Sequence, residues 1–295
     1  GDQYAVDRFK FDCGAEDQLR VTITRENSGP TGFSHSVKVD VTTAESAIDS
    51  DEYARISTII ESQDLQHLDY GASGAKTTTI SFYVKSSLTG TYAMQLYQFD
   101  GAQIIGTTYT INTANTWEKK TITFVGNTSQ AIANDNTSGI RLNFILMAGN
   151  DYTGTANSSW GAYSAAKFAN GHTAAWGTNA SHDFWISGVQ WEVGSVATPF
   201  EHRSHADELR RCMRYYYQNQ SEWFVDTVGS SYNTMSTIMY AHHIRLHVPV
   251  SMRADPSVGI VSVFAGGNSS SGTNVTNKYG VAGAKKEFVN IRNSS

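Results

Sequence analysis

The chain predicts a mainly β protein, with one antiparallel sandwich over residues 1–200 and a short helix plus a smaller β unit over 201–295. Three observations carry this. Apolar and polar residues alternate with period two along most of the first two hundred positions, the mark of half-buried strands. Charged residues make up 17% of the 295 and hydrophobic ones 40%, so the polar balance comes from Ser, Thr, Asn, Gln and Gly. That balance suits antiparallel sheets with one wetted face. Turn residues separate the alternating runs, and a long mixed helical pattern appears only after Pro199.

The elements follow in order. Phe9, Phe11 and Cys13 point one way in the first segment, and Val21 with Ile23 continue the theme. Val37, Val39 and Val41 alternate with Lys38 and Asp40. Tyr53 to Ile60 is a further apolar stretch. In Thr77 to Ser86 the inward set is Ile80, Phe82 and Val84, with Ser81, Tyr83 and Lys85 facing out. Tyr92–Phe99 runs into Asp100-Gly101, a hairpin signal because both residues tolerate positive φ, and Ile104–Ile111 returns. Trp117–Val125 and Ile140–Leu146 add two strands. Phe184–Val193 closes the series, with Val189, Trp191 and Val193 inward and a slip of phase at Gly188 that reads as a bulge.

One stretch breaks the alternation. Asn150 to His182 is a long run of small and polar residues carrying Tyr152, Trp160, Tyr163, Phe168, His172 and Trp176. Loops of that length are uncommon unless functional or disordered, and a disordered linker has no use for so many rings. Further on, Ser204–Tyr216 predicts a helix: Leu209, Cys212, Met213 and Tyr216 share a face, and Ser204 is an N-cap with Asp207 three residues on. Arg210, Arg211 and Arg214 lie off that face, as a solvated surface or an inter-subunit contact. Strand-like segments follow at 215–228, 234–250 and 259–264, and 266–277 reads as a loop. A second unit of this size is small for an independent core and is expected to need a partner chain.

Several function classes drop out. The net charge of −5 leaves no broad basic field for a nucleic-acid backbone. No apolar run approaches a membrane span. Cys13 and Cys212 lack any metal-ligand or disulfide spacing and are expected to be buried free thiols. The opening Gly1-Asp2-Gln3-Tyr4 has no initiator Met and reads as a trimmed fragment. No nucleophile elbow or P-loop occurs, and no carboxylate pair stands in a hydrolase-like setting; Asp49, Asp51 and Glu52 cluster on a polar loop. His242, His243 and His247 are close, but in a strand His242 faces away from the other two, an awkward metal site.

The segments together resemble a known group. Tyr4-Ala5-Val6-Asp7-Arg8-Phe9, Ile59-Ile60-Glu61, Thr79 to Ser86 and Asn115-Thr116-Trp117-Glu118 follow, in order, the pattern of carbohydrate-binding-module-like domains in bacteriophage tail fibres and virion structural proteins. The most specific run is Ile186-Ser187-Gly188-Val189-Gln190-Trp191-Glu192-Val193-Gly194, then Ala197-Thr198-Pro199-Phe200-Glu201 and Glu208-Leu209-Arg210-Arg211-Cys212-Met213-Arg214-Tyr215-Tyr216. It is similar to the junction between the jelly roll and the next domain in such proteins, and His247 to Pro256 resembles the segment that follows it. The resemblance implies a jelly roll over 1–200, a virion location on the exterior of tail or capsid, other virion proteins as partners and a homotrimer. It also implies a structural calcium ion in many relatives, with no ligand set that maps onto this chain.

Sugar binding uses the remaining residues best, because rings stack on pyranose faces while amides bond hydroxyls. The expected glycan site is the aromatic loop: Trp160, Tyr163, Trp176 and Tyr152, with Asn157 and Asn179, and Asn170 nearby. The competing role for these rings is to plug the end of the sandwich or meet a neighbouring subunit. The function expected is a non-catalytic virion protein that binds host surface polysaccharide. The alternatives are a purely structural virion component without a sugar site, and an accessory module of a polysaccharide-degrading enzyme.

Overall fold

The computed structural model describes residues 3–4, 8–14, 18–154, 157–216, 244–247, 250–253, 279–285 and 288–293. The chain divides into two compact units, Gly1–Glu201 and His202–Ser295.

The first unit is a mainly β, antiparallel jelly-roll sandwich. Its strands are β1 (Gln3–Tyr4), β2 (Lys10–Gly14), β3 (Arg20–Glu26), β4 (Ser36–Thr43), β5 (Tyr53–Glu61), β6 (Thr78–Ser86), β7 (Gly90–Gln98) and β8 (Gln103–Ile111). These are followed by β9 (Glu118–Phe124), β10 (Ser138–Ala148), β11 (Gly161–Ala162) and β12 (Asp183–Val193). One sheet runs β1-β2-β5-β10-β7-β8-β11 and the other β3-β4-β12-β6-β9. From β5 onward the chain crosses repeatedly between the sheets, which buries one face of each strand between them.

The core is the one the alternation demands. Ile56, Leu96, Ile140, Leu142 and Phe144 from one sheet meet Val39, Ile80, Phe82, Val84 and Phe184 from the other, each at most 1% exposed. Phe82 packs edge-on against Phe144 with ring centroids 5.0 Å apart. Each such side chain stabilises the fold by about 1.5–3 kcal/mol through burial.

The β7–β8 hairpin forms as expected, although the positive φ falls on Gly101 and Ala102 and not on Asp100. The slip at Gly188 is a bulge: pairing of β12 with β6 jumps between Ser187 and Gln190. Gly188 sits at φ 58° under the Phe33 ring, where a Cβ would come within 2.6 Å of Cζ. Two facings differ from expectation. Ser81 is buried, because its strand is flanked by both β9 and β12. Val193, at the end of β12 beyond the bulge, is 47% exposed, while Val189 and Trp191 pack against the core. Phe200 returns to the sandwich and meets Phe33 edge-on at 4.8 Å.

In the second unit α1 spans His205–Met213. Ser204 caps it, its hydroxyl accepting from the Asp207 N–H at 3.2 Å. None of its residues is buried, and Leu209 is 45% exposed. Arg210 and Arg211 are exposed, whereas Arg214 donates to the Ser251 carbonyl at 3.2 Å. A small sheet of β13 (Ile244–His247), β15 (Phe288–Asn293) and β14 (Tyr279–Lys285) runs β13-β15-β14. The β14–β15 hairpin had no counterpart in the sequence reading. β13 falls within the strand expected over 234–250, whereas the rest of that segment up to Pro249, the expected strands over 217–228 and 259–264, the loop over 266–277, and His242 and His243 lie outside the described residues. Cys13 and Cys212 form no disulfide and are half-buried, not fully buried. Among the described residues no helix is long and apolar enough to cross a membrane.

Candidate functional site

The inward phase of β10 (Ile140, Leu142, Phe144) turns Arg141, Asn143 and Ile145 to the outer face of the seven-stranded sheet. Register then builds rows across that face. Arg141 lies between Ile59 of β5 and Tyr97 of β7, Asn143 between Ser57 and Gln95, and Ile145 beside Arg55. Arg55 in turn lies opposite Asp12 of β2.

The segment after β10 folds back over this face. Ala169 donates its N–H to the Tyr152 carbonyl at 2.8 Å, and Phe168 and Ala169 pack on Ala93 and Ile145. Asn157 lies over Gly106, whose N–H it receives at 2.8 Å, and its Nδ2 donates to the Lys167 carbonyl at 2.6 Å. A Cβ at position 106 would come within 2.5 Å of that amide and force it to shift. Tyr163 is pinned through its N–H to the Ala102 carbonyl at 2.8 Å.

The part of the face left open is a cleft of about 310 Å³, within the roughly 300–1,000 Å³ that small-ligand sites occupy. Two aromatic triads border it. Tyr53, Tyr152 and Phe168 meet at centroid distances of 5.1–5.5 Å. Tyr97 packs edge-on against Phe99 at 5.1 Å and Tyr163 at 5.5 Å. Between them stand Arg55, Gln95 and Arg141. Arg55 donates from Nε to Asp12 Oδ2 at 2.9 Å and from Nη2 to the same oxygen, and its guanidinium lies 5.1 Å from the Tyr53 ring centroid. Arg141 lies 5.0 Å from the Phe99 centroid. Burial, then the neighbouring Arg55 charge, lowers the Arg141 pKa, and burial raises those of Tyr53, Tyr152 and Tyr163. Gln95 is 1% exposed and, among the described residues, its Oε1 has no partner; both ends of the buried Asn143 amide also lack one there.

The expected aromatic-loop site is therefore split. Tyr152 and Tyr163 reach the cleft. Trp176 does not: it is fully buried in the sandwich core, with no surface to offer a ring. Trp160 is half-buried against Tyr70, and its Nε1 donates to the Val125 carbonyl at 2.7 Å. Asn157 is spent holding the loop, and exposed Asn179 turns back to accept from the Ser181 N–H at 2.8 Å. The open surface is a sheet face, not the loop alone. The missed residues are Tyr53, Arg55, Gln95, Tyr97, Phe99, Arg141 and Phe168. Their signal was an arginine and an asparagine alternating with apolar residues along the long strand β10.

Two other surfaces compete less well. A cleft of about 510 Å³ beside Leu65, Tyr70 and Ile132 is larger, but its one carboxylate, Asp69, is paired with Lys76 at 3.3 Å. On the outer face of the five-stranded sheet, Lys85 already lies 3.9 Å from the centroid of the Trp185 ring, filling the stacking platform from within the chain. Among the described residues no group of three His, Cys, Asp or Glu converges, so the calcium ion that the resemblance implies is assigned no ligands.

No family model and no curated protein matches this chain. Among solved structures it is similar to the enzymatically active domain of a Bacteriophage CBA120 tailspike protein, at 13% identity and a TM-score of 0.35 over 64% of this chain and 20% of that one. It is similar too to a family 11 carbohydrate-binding module from Clostridium thermocellum, in complex with a mixed-linked tetrasaccharide, at 12% identity and a TM-score of 0.34. That match covers 67% of this chain and 95% of the module. A family 22 module of the same organism covers 65% of this chain and 91% of its own, at 13% identity and a TM-score of 0.35.

Proposed function

We propose that the protein is a non-catalytic glycan-binding component of a phage tail fibre or related virion structure, gripping host surface polysaccharide in the cleft on its seven-stranded sheet. The observation that carries this is the cleft itself. Two aromatic triads border a polar floor on which the Gln95 amide oxygen is left without a partner among the described residues, and a pyranose ring with its hydroxyls suits such a surface. Hydrolysis needs two carboxylates across the bond, whereas the lining of this cleft carries none, and Asp12 beside it is held by Arg55. The virion setting and the trimer rest on the junction from Ile186 to Tyr216. In this reading the second unit serves assembly through Arg210 and Arg211, with Arg214 bracing its own unit.

The test is affinity electrophoresis of the full chain in host capsule or wall polysaccharide, beside light scattering for mass. A double variant Tyr97→Ala, Tyr163→Ala is expected to weaken binding by about tenfold or more, in line with about 1–2 kcal/mol for each central ring lost. Unchanged retardation in the double variant sinks the cleft, and a monomer at all concentrations sinks the trimer.

A further inference from the structure

The lining of the cleft holds two guanidinium groups and no carboxylate, and this sets its ligand class. Two guanidinium groups, Arg55 and Arg141, face it, and Asp12 takes two hydrogen bonds from Arg55 through one carboxylate oxygen, Oδ2. Arg141 is half-buried on the central strand and forms no ion pair among the described residues; its neighbour there is the face of the Phe99 ring. A guanidinium withdrawn from water without a counter-charge is costly, and one beside a second guanidinium more so. The chain as a whole carries −5, so this local excess runs against its average. Beside it, Gln95 is 1% exposed and its Oε1 at the cleft floor is unpartnered among the described residues.

Resting on the glycan-binding reading above, we infer that the cleft selects an acidic polysaccharide, and that Arg141 is the specificity-determining residue, receiving the carboxylate of a uronic or nonulosonic acid unit. A planar guanidinium grips a planar carboxylate with two parallel hydrogen bonds. The Tyr97 and Tyr163 rings hold the sugar that bears it, and the Gln95 amide takes one of its hydroxyls. Neutral glycans can stack on the same rings but leave Arg141 uncompensated.

The experiment uses the full chain and four carboxylated polymers: polygalacturonate, polymannuronate, hyaluronan and polysialic acid. Each is paired with its carboxyl-reduced, neutral form, and affinities are read by titration calorimetry at physiological salt. At least one acidic polymer is expected to bind tenfold or more tighter than its reduced form. Arg141→Gln should narrow that ratio to about twofold with a melting temperature no lower than the parent's, and Arg141→Lys should restore part of the ratio. Equal or tighter binding of a reduced form overturns the inference while leaving glycan binding intact. So does a ratio that Arg141→Gln does not alter. No binding to any of the eight polymers overturns both readings.

Discussion

Replacing Gln95 by Met changes one functional group at nearly constant volume, and the structure assigns opposite signs to its two consequences. Gln95 is 1% exposed and its Oε1 finds no partner among the described residues. A buried acceptor left unpaired costs roughly 1–3 kcal/mol, and a volume-conserving apolar replacement removes that cost with little packing penalty. The first unit spans Gly1–Glu201, a size at which each kcal/mol moves the melting temperature by about 2–4 °C. Gln95→Met should therefore melt about 2–12 °C higher by circular dichroism. Binding should move the other way. Losing one ligand hydrogen bond, at about 0.5–1.5 kcal/mol, weakens affinity roughly two- to tenfold. A lower melting temperature with unchanged glycan affinity would refute the reasoning, because Gln95 would then be a structural group and not a poised binding one.

Trp176→Ala should destabilise the sandwich by about 3–5 kcal/mol in urea, since it empties a fully buried ring site. Trp176→Phe should bind glycan normally, and lost binding at unchanged stability would return Trp176 to the site. His172 accepts from the Ala93 N–H at Nδ1 and donates from Nε2 to the Ala174 carbonyl. Burial pushes its pKa down to about 4. The unfolded chain then binds the proton first, so stability is whole above pH 6.5 and falls by about 3 kcal/mol as pH drops to 4. Proton NMR should show the His172 ring uncharged down to about pH 5, and titration near 6.5 would contradict its burial.

Much of the sandwich was legible because period-two alternation reports burial directly. Ile80, Phe82 and Val84 sit inward as their spacing demands, and Gly188 marked its own bulge. The site was only half legible. Composition could pick out an aromatic segment after β10, but it could not tell a ring that faces the core, Trp176, from one that faces out, Tyr163. That distinction depends on how the segment folds back, through the Asn157–Gly106 and Ala169–Tyr152 contacts, which join residues far apart in sequence or turn on local hydrogen bonds. The cleft floor was hidden for another reason. Arg55, Gln95 and Arg141 come from three strands, and only the register of β5, β10 and β7 makes them neighbours. Each alone reads as an ordinary polar residue on a solvated face.

The central claim is that the outer face of the seven-stranded sheet binds sugar. A co-crystal structure of the full chain with an oligosaccharide from the tightest-binding polymer tests it most directly. The account predicts a sugar ring against Tyr97 and Tyr163, with its polar groups on Gln95 and Arg141. Sugar bound instead over Trp117 and Trp185, or on the second unit, with this cleft empty, would contradict it.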